Sequence, residues 1–282
     1  MRFGLKTAPQ NTTWPDMLAV WQAADDIEFF ESAWTFDHFY PIFSDSTGPC
    51  FEGWTVTTAL AQATTRLRVG VLVTGMPYRH PAVLANMAAT LDLVSNGRLE
   101  LGIGAGWNQE EADAYGIELH STLTDRFDAF DEACEVIIGL LSNATTTFKG
   151  RFLELSDARC EPKPVQKPHP PICIGGGGER RTLRSVARYA QHWNYPGGTV
   201  EDFAHKLDVL RGHCEAEGRD PKEIMISTHL RLSEDGDVDT LAKEAKRYAD
   251  AGLDLGIVYF PPPHTPSALE PVAKALDHLR SA

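Results

Sequence analysis

The sequence predicts an α/β fold, a single (β/α)8 TIM barrel spanning residues 1–282, and three observations carry that prediction. Strand-like and helix-like patterns alternate from end to end in eight units of about 35 residues each. Apolarity within the strands is continuous rather than strictly alternating, as in strands buried on both faces. The residues with chemical potential gather at the carboxyl ends of those strands, the face on which such barrels carry their sites. A doubly wound open sheet is the runner-up, but no stretch marks a long antiparallel edge or a two-domain linker.

The elements follow in order. Phe3 to Thr7 is a short strand, and Pro15 to Phe30 carries Leu18, Trp21, Ala24 and Ile27 at helical spacing. Ser32 to Phe36 is the second strand and ends in Asp37-His38-Phe39-Tyr40-Pro41. A helix over Gly53 to Thr64 leads into Leu67 to Thr74, the run richest in β-branched residues. Pro81 suits the first helical position, Val83, Leu84, Met87, Leu91 and Val94 form one face, and Asn96-Gly97 stops that helix. The fourth strand, Arg98 to Gly106, runs into Trp107-Asn108, and a polar connection precedes a helix begun at Thr124. Residues 145–170 break the rhythm with a small hairpin and a proline-rich excursion, expected to be an insertion between strands 4 and 5 near the barrel mouth. Ile172 to Ile174 is the fifth strand, followed by four glycines and a helix from Glu179 to Ala190. A strand around Trp193 to Tyr195, a helix capped by Thr199 with Asp202, a strand over Ile224 to Leu230, a helix over Val238 to Asp250 and a strand over Gly256 to Phe260 complete the count. Ser267 with Glu270 is expected to cap the last helix.

Composition narrows the function classes. Hydrophobic residues make up 43% and charged residues 23%, near the globular average. A formal net charge of -13 argues against a general nucleic-acid or anionic-membrane partner, because the long-range field repels polyanions. The cysteines, Cys50, Cys134, Cys160, Cys173 and Cys214, are odd in number and scattered, with no C-x-x-C pair, so reduced and mostly buried thiols are expected. The opening residues show no signal-peptide pattern and no apolar run reaches the roughly 18 residues of a membrane span, which gives a soluble, cytoplasmic expectation.

The chemistry is read at strand ends. Gly102, Gly104 and Gly106 strip one face of the fourth strand, so a ligand or another backbone can approach it; tight core packing is the equal alternative. The spacing is G-x-G-x-G with about a hundred residues upstream, which excludes the dinucleotide fingerprint, and no P-loop lysine follows. Gly175, Gly176, Gly177 and Gly178 opening into a helix with Glu179, Arg180, Arg181 and Arg184 read as a phosphate site, against a flexible loop with solvated arginines. His38 is a candidate proton donor or cofactor contact, with Asp37 orienting it or capping a turn. Trp107 and Trp193 either wall a planar ring or pack at the rim. His169, His192, His205 and His213 show no metal spacing and are expected at the surface; Glu110-Glu111 and Asp25-Asp26 are expected on solvated helix faces. There is no G-x-S-x-G for a serine hydrolase.

These motifs together resemble the luciferase-like flavin and deazaflavin oxidoreductases, and within them the branch that uses coenzyme F420. The resemblance covers nearly the whole chain and is carried by Asp37 to Pro41, Arg66 to Val71, His80-Pro81 through Leu91-Asp92, Ser95 to Trp107, and Pro171 to Gly178 with Ala187 to Ala190 and Trp193-Asn194. It implies cofactor phosphate near Gly175 to Gly178 and Arg180, and a ring lying against a bulge at the end of the third strand, near Thr74-Gly75, often with a non-proline cis peptide. It implies that Asp37 and His38 lie near the ring, while Gly104, Gly106, Trp107, Asn108 and Trp193, by their places at strand ends, are further candidate cofactor contacts. Where relatives carry an acidic residue, this chain has Ala190-Gln191-His192-Trp193-Asn194. The function implied is hydride transfer between F420 and a small organic substrate. FMN with a two-component monooxygenase activity is the alternative, and a non-redox phosphate-binding barrel is a third reading. For the aldolase-like version of that third reading only Lys6 lies near a strand end. Extra cations near Arg180, Arg181 or Arg126 would suit the acidic F420 tail, and a homodimer fits the resemblance.

Overall fold

In the computed structural model, which describes residues 1–280, parallel strands close into a ring around an apolar centre. The strands are β1 (Arg2–Thr7), β2 (Phe30–Thr35), β3 (Arg68–Val71), β4 (Thr74–Gly75), β5 (Leu99–Gly104), β6 (Thr146–Lys149), β7 (Glu154–Ala158), β8 (Ile172–Gly175), β9 (His192–Tyr195), β10 (Met225–Arg231) and β11 (Leu255–Phe260). Their order is β3-β2-β1-β11-β10-β9-β8-β5-β4, and pairing of β3 with β5 closes the ring. β3 and β4 are the two halves of the third strand, separated at Leu72-Val73, whose peptide is cis. The cis bond thus lies two residues before Thr74-Gly75, where the resemblance had suggested it. With those halves counted together the barrel has eight strand positions, as the sequence predicts.

The helices are α1 (Trp14–Asp25), α2 (Gly53–Gln62), α3 (Pro81–Val94), α4 (Gln109–Ala114), α5 (Leu123–Ser142), α6 (Thr182–Tyr189), α7 (Val200–Ala216), α8 (Val238–Asp250) and α9 (Leu269–Leu276). Their apolar faces bury Met17, Trp21, Leu60, Leu84, Phe130, Leu183 and Phe203 against outward strand residues such as Phe3, Leu5 and Phe30. Inside the ring a smaller cluster of Trp34, Leu72, Cys173, Leu255 and Ile257 fills the centre. Strand periodicity explains the division, since successive side chains point to opposite faces.

Several boundaries differ from expectation for local reasons. α1 ends at Asp25, because Phe30 is recruited into β2 beside Phe3. α4 occupies what reads as a polar connection. α5 starts at Leu123 because Thr122, not Thr124, accepts from the Asp125 amide. α6 starts at Thr182, with three residues between it and the glycine run, so Glu179 and Arg180 lie in a turn rather than a helix. α9 has no side-chain cap; Ser267 donates to the Thr265 hydroxyl instead. Thr199 caps α7 as expected, accepting from the Asp202 amide. Between α5 and β8, β6 and β7 form an antiparallel hairpin outside the barrel.

Two polar residues read as surface groups are structural. His192 is fully buried at the amino end of the barrel, its Nε2 2.6 Å from the Ser227 hydroxyl and its Nδ1 3.6 Å from Glu100, which also accepts from Arg68 at 2.6 Å. Asp25 accepts from the Thr65, Arg66 and Leu67 amides and ties α1 to the start of β3. The five cysteines are free thiols, four of them buried. Among the described residues no helix is long and apolar enough to cross a membrane, and no cluster suits a metal ion.

Candidate functional site

The carboxyl ends of the strands bring His38, Glu111, Tyr78, Trp107 and Asn108 together. Asn108 caps α4, its side-chain oxygen accepting from the Glu111 amide at 3.2 Å, and this turns the Glu111 carboxylate inward. There it accepts from His38 Nδ1 at 2.7 Å, the Phe39 amide at 2.6 Å and the Tyr78 hydroxyl at 2.5 Å. Burial alone would raise this carboxyl, but the hydrogen bonds from His38, Tyr78 and Phe39 outweigh it and hold Glu111 below the usual carboxylate range. A carboxylate so held is an acceptor, so Nδ1 of His38 carries its proton. Nε2 has no partner among the described residues, and an imidazole in this arrangement can take or release a proton there.

Glu111 was read from sequence as part of a solvated face, and that reading is corrected: Glu110 is exposed, whereas Glu111 is fully buried. Asp37 is not the group that orients His38. Its carboxylate is gripped by both terminal nitrogens of Arg79, and burial raises its proton affinity against the pull of that guanidinium. Asp37 therefore anchors the turn after β4 behind the histidine. Trp107 is 57% exposed, meets His38 edge-on with centroids 5.6 Å apart, and stacks on Phe43 at 5.8 Å.

The glycines at the strand ends accommodate a side chain of the barrel itself. A Cβ on Gly104 would lie 2.9 Å from Val73 Cγ2, and one on Gly175 would lie 3.0 Å from Val73 Cγ1. Val73 thus forms a shelf over β5 and β8, with Gly75 pressed on the Tyr78 ring and Gly106 against Pro77. The Thr74 hydroxyl is occupied by the Trp54 indole at 2.7 Å.

Beyond β8 the amides of Gly177, Gly178, Glu179 and Arg180 make no hydrogen bond among the described residues, while Gly176 donates to Asn194. Arg180 is exposed beside them. Arg181 pairs with Asp128 and Asp131 and Arg184 with Glu217, so neither is a free cation. Lys206, missed from sequence because it lies a helix away, comes within 4.0 Å of a Cβ placed on Gly177 and bonds Glu179 at 2.7 Å. Trp193 lies outside this cluster: it is fully buried, stacked on Phe203, with its indole donating to Gly176, and offers no face to a ring at the mouth. Arg126 donates to the Gly106 and His120 carbonyls on the far side of the turn.

Known proteins share this architecture. An F420-dependent secondary alcohol dehydrogenase, solved with an F420-acetone adduct, superposes with a TM-score of 0.87 over 99% of both chains at 19% identity. The coenzyme F420-dependent tetrahydromethanopterin reductase of Methanopyrus kandleri gives 0.83 over 99% of both chains, also at 19% identity. At such identities the likeness is one of fold. An FMNH2-dependent dimethylsulfone monooxygenase of Pseudomonas putida is 30% identical over 168 residues, 59% of this chain and 45% of that one. Residues 1–278 match the family described as luciferase-like monooxygenase, and the chain belongs to that family.

Proposed function

We propose that the chain is an F420-dependent oxidoreductase that transfers a hydride between the deazaflavin and a small organic substrate. The observation that carries this reading is the His38-Glu111-Tyr78 arrangement, which places an imidazole nitrogen without a partner at the barrel mouth. The residues fit the cofactor. Val73 offers an apolar shelf for a flat ring, the free amides from Gly177 to Arg180 with Arg180 and Lys206 suit a phosphate, and Trp107 supplies an aromatic wall. When bound, F420 would supply two-electron hydride chemistry without flavin-type oxygen activation. Glu111 keeps Nδ1 protonated and fixes the ring, so the neutral imidazole removes the alcohol proton at Nε2 during oxidation and becomes an imidazolium beside the carboxylate; in reduction the imidazolium, charged by a proton from solvent, gives that Nε2 proton to the substrate oxygen. Tyr78 and the Phe39 amide hold the carboxylate still. End-to-end correspondence with two F420-dependent enzymes supports this cofactor over FMN.

The second reading is an FMN-dependent monooxygenase, favoured by the sequence identity to the FMNH2-dependent relative. Oxidation of reduced F420 by a panel of aldehydes and ketones under nitrogen tests the proposal. The expected result is turnover by the wild-type protein and a roughly hundredfold or larger loss in His38→Asn. Oxygen-dependent product formation with reduced FMN, and none with reduced F420, would overturn it.

A further inference from the structure

One row of side chains at the mouth carries charge that the hydride-transfer reading leaves unused. Lys6, Tyr259 and Arg231 are register partners on β1, β11 and β10. Tyr259 lies two residues beyond Ile257, which packs inside the barrel, so the row faces inward. Lys6 is only 5% exposed. Its amine donates to the Leu72 carbonyl at 2.9 Å, sits 3.4 Å from His229 Nε2 and lies 5.4 Å from the Tyr259 ring centroid. Arg231 is exposed and lies 4.9 Å from the same ring.

Among the described residues neither cation has an ion-pair partner. Glu244 on α8 is close enough to feel Arg231, and His229 is further engaged by the Pro196 backbone. In a chain of net charge -13, two cations left without counter-ions on one inward row are conspicuous. Burial first, and Arg231 second, lower the Lys6 amine to about 7, and burial also keeps His229 neutral. A buried amine held this way costs stability, and that cost marks sites whose counter-ion arrives with a ligand. The barrel order separates this row from the glycines: cofactor contacts under the reading above come from β4, β5 and β8, while the cations come from β1 and β10, with β2 and His38 on the same side. The Cys50 thiol, bonded to the His38 carbonyl at 3.4 Å and within electrostatic reach of Tyr259, joins the two groups.

We propose that Lys6 and Arg231, spaced by Tyr259, form the substrate-recognition wall of the site, and that the substrate carries a carboxylate. Arg231 meets the anion at the rim and Lys6 receives it below, taking up a proton from solvent when it was neutral. A carboxylate set between them meets the exposed guanidinium with one oxygen and the buried amine with the other. The substrate class rests on the oxidoreductase reading; the anion site itself does not.

Calorimetric titration of the protein, with and without saturating F420, against pyruvate, benzoate and their amides tests this. Wild type is expected to bind each carboxylate roughly tenfold or more tightly than its amide. Near pH 8, carboxylate binding should take up a proton, read from two buffers of different ionisation enthalpy. Lys6→Met should abolish the uptake and most of the preference, and Arg231→Gln, a change at the exposed rim, should also reduce the preference. F420 affinity should be unchanged in both variants. Equal binding of acids and amides by wild type, or a preference unchanged in both variants, overturns the proposal; so does a loss confined to cofactor affinity. Carboxylate preference without F420 binding would sink the deazaflavin reading and leave the anion site standing.

Discussion

At the scale of single residues the account turns on two side chains whose surroundings shift their proton affinity in useful directions. Glu111 is held low by three donors, so its contribution to stability is present above the ordinary glutamate value of about 4.3 and is lost as pH falls through its lower folded value. Melting curves of wild type and Glu111→Gln should therefore differ most near neutrality and converge in acid; a constant gap from pH 7 to pH 3 would contradict the assignment. The same substitution should cut turnover by about 10²-fold or more with little change in substrate KM, because it misorients His38 rather than removing a binding group. Lys6 has the opposite sign. With its folded value at about 7 against 10.5, the unfolded chain binds more protons between those values, so stability rises with pH across that window. Lys6→Met should be more stable than wild type at pH 6.5, with the advantage gone above pH 10.5, as urea denaturation would report.

The sequence offered Asp37 as either orienting His38 or capping a turn and did not offer the partner the structure gives it, and the physical reason is separation. The true partner is 73 residues away on a six-residue helix whose polar sequence looks like a connection. A carboxylate is legible as buried against a histidine only with its neighbours in view, and only the Asn108 cap hinted that a helix begins there. Lys206 escaped notice as a site residue for the same reason, whereas Lys6 was considered only for the aldolase-like reading.

At the scale of elements, the third strand and its glycine neighbours form one packing unit. Gly104→Ala drives a methyl into Val73 and should cost about 1–3 kcal/mol, a loss that Val73→Ala in the same chain should largely recover. Gly102→Ala should not be recoverable by any side-chain change, because its Cβ would lie 2.0 Å from the Val71 carbonyl oxygen. Chemical denaturation of Gly104→Ala and of Gly102→Ala, each with and without Val73→Ala, reads both claims; equal rescue at the two positions would refute them. The glycine strand was legible as a place of close approach, and packing was one of its two readings. What β-propensity could not show is that Val73 is the group that approaches. The first residues of α6 were misread because four glycines ahead of a helix-forming segment do not reveal that the turn continues through Arg181.

At the scale of the whole molecule the barrel was legible in full, because eight repeated units, strand apolarity and chemistry at strand ends all follow from one topology. The closed ring divides its mouth into a glycine-lined half around β4, β5 and β8 and a cationic half around β10, β11 and β1, with His38 between them. No single sequence window contains that division, since it joins Lys6 to Arg231 across 225 residues of chain. Under the proposed function, it would let one site hold a flat anionic cofactor and a second charged molecule apart from each other. The measurement that tests the central claim most directly is an equilibrium titration of the purified protein with F420 and, separately, with FMN, followed by cofactor fluorescence at low and moderate salt. The account predicts micromolar or tighter F420 binding that weakens in Arg180→Gln and Lys206→Gln, with FMN bound at least tenfold less tightly. Tighter binding of FMN than of F420 would contradict it.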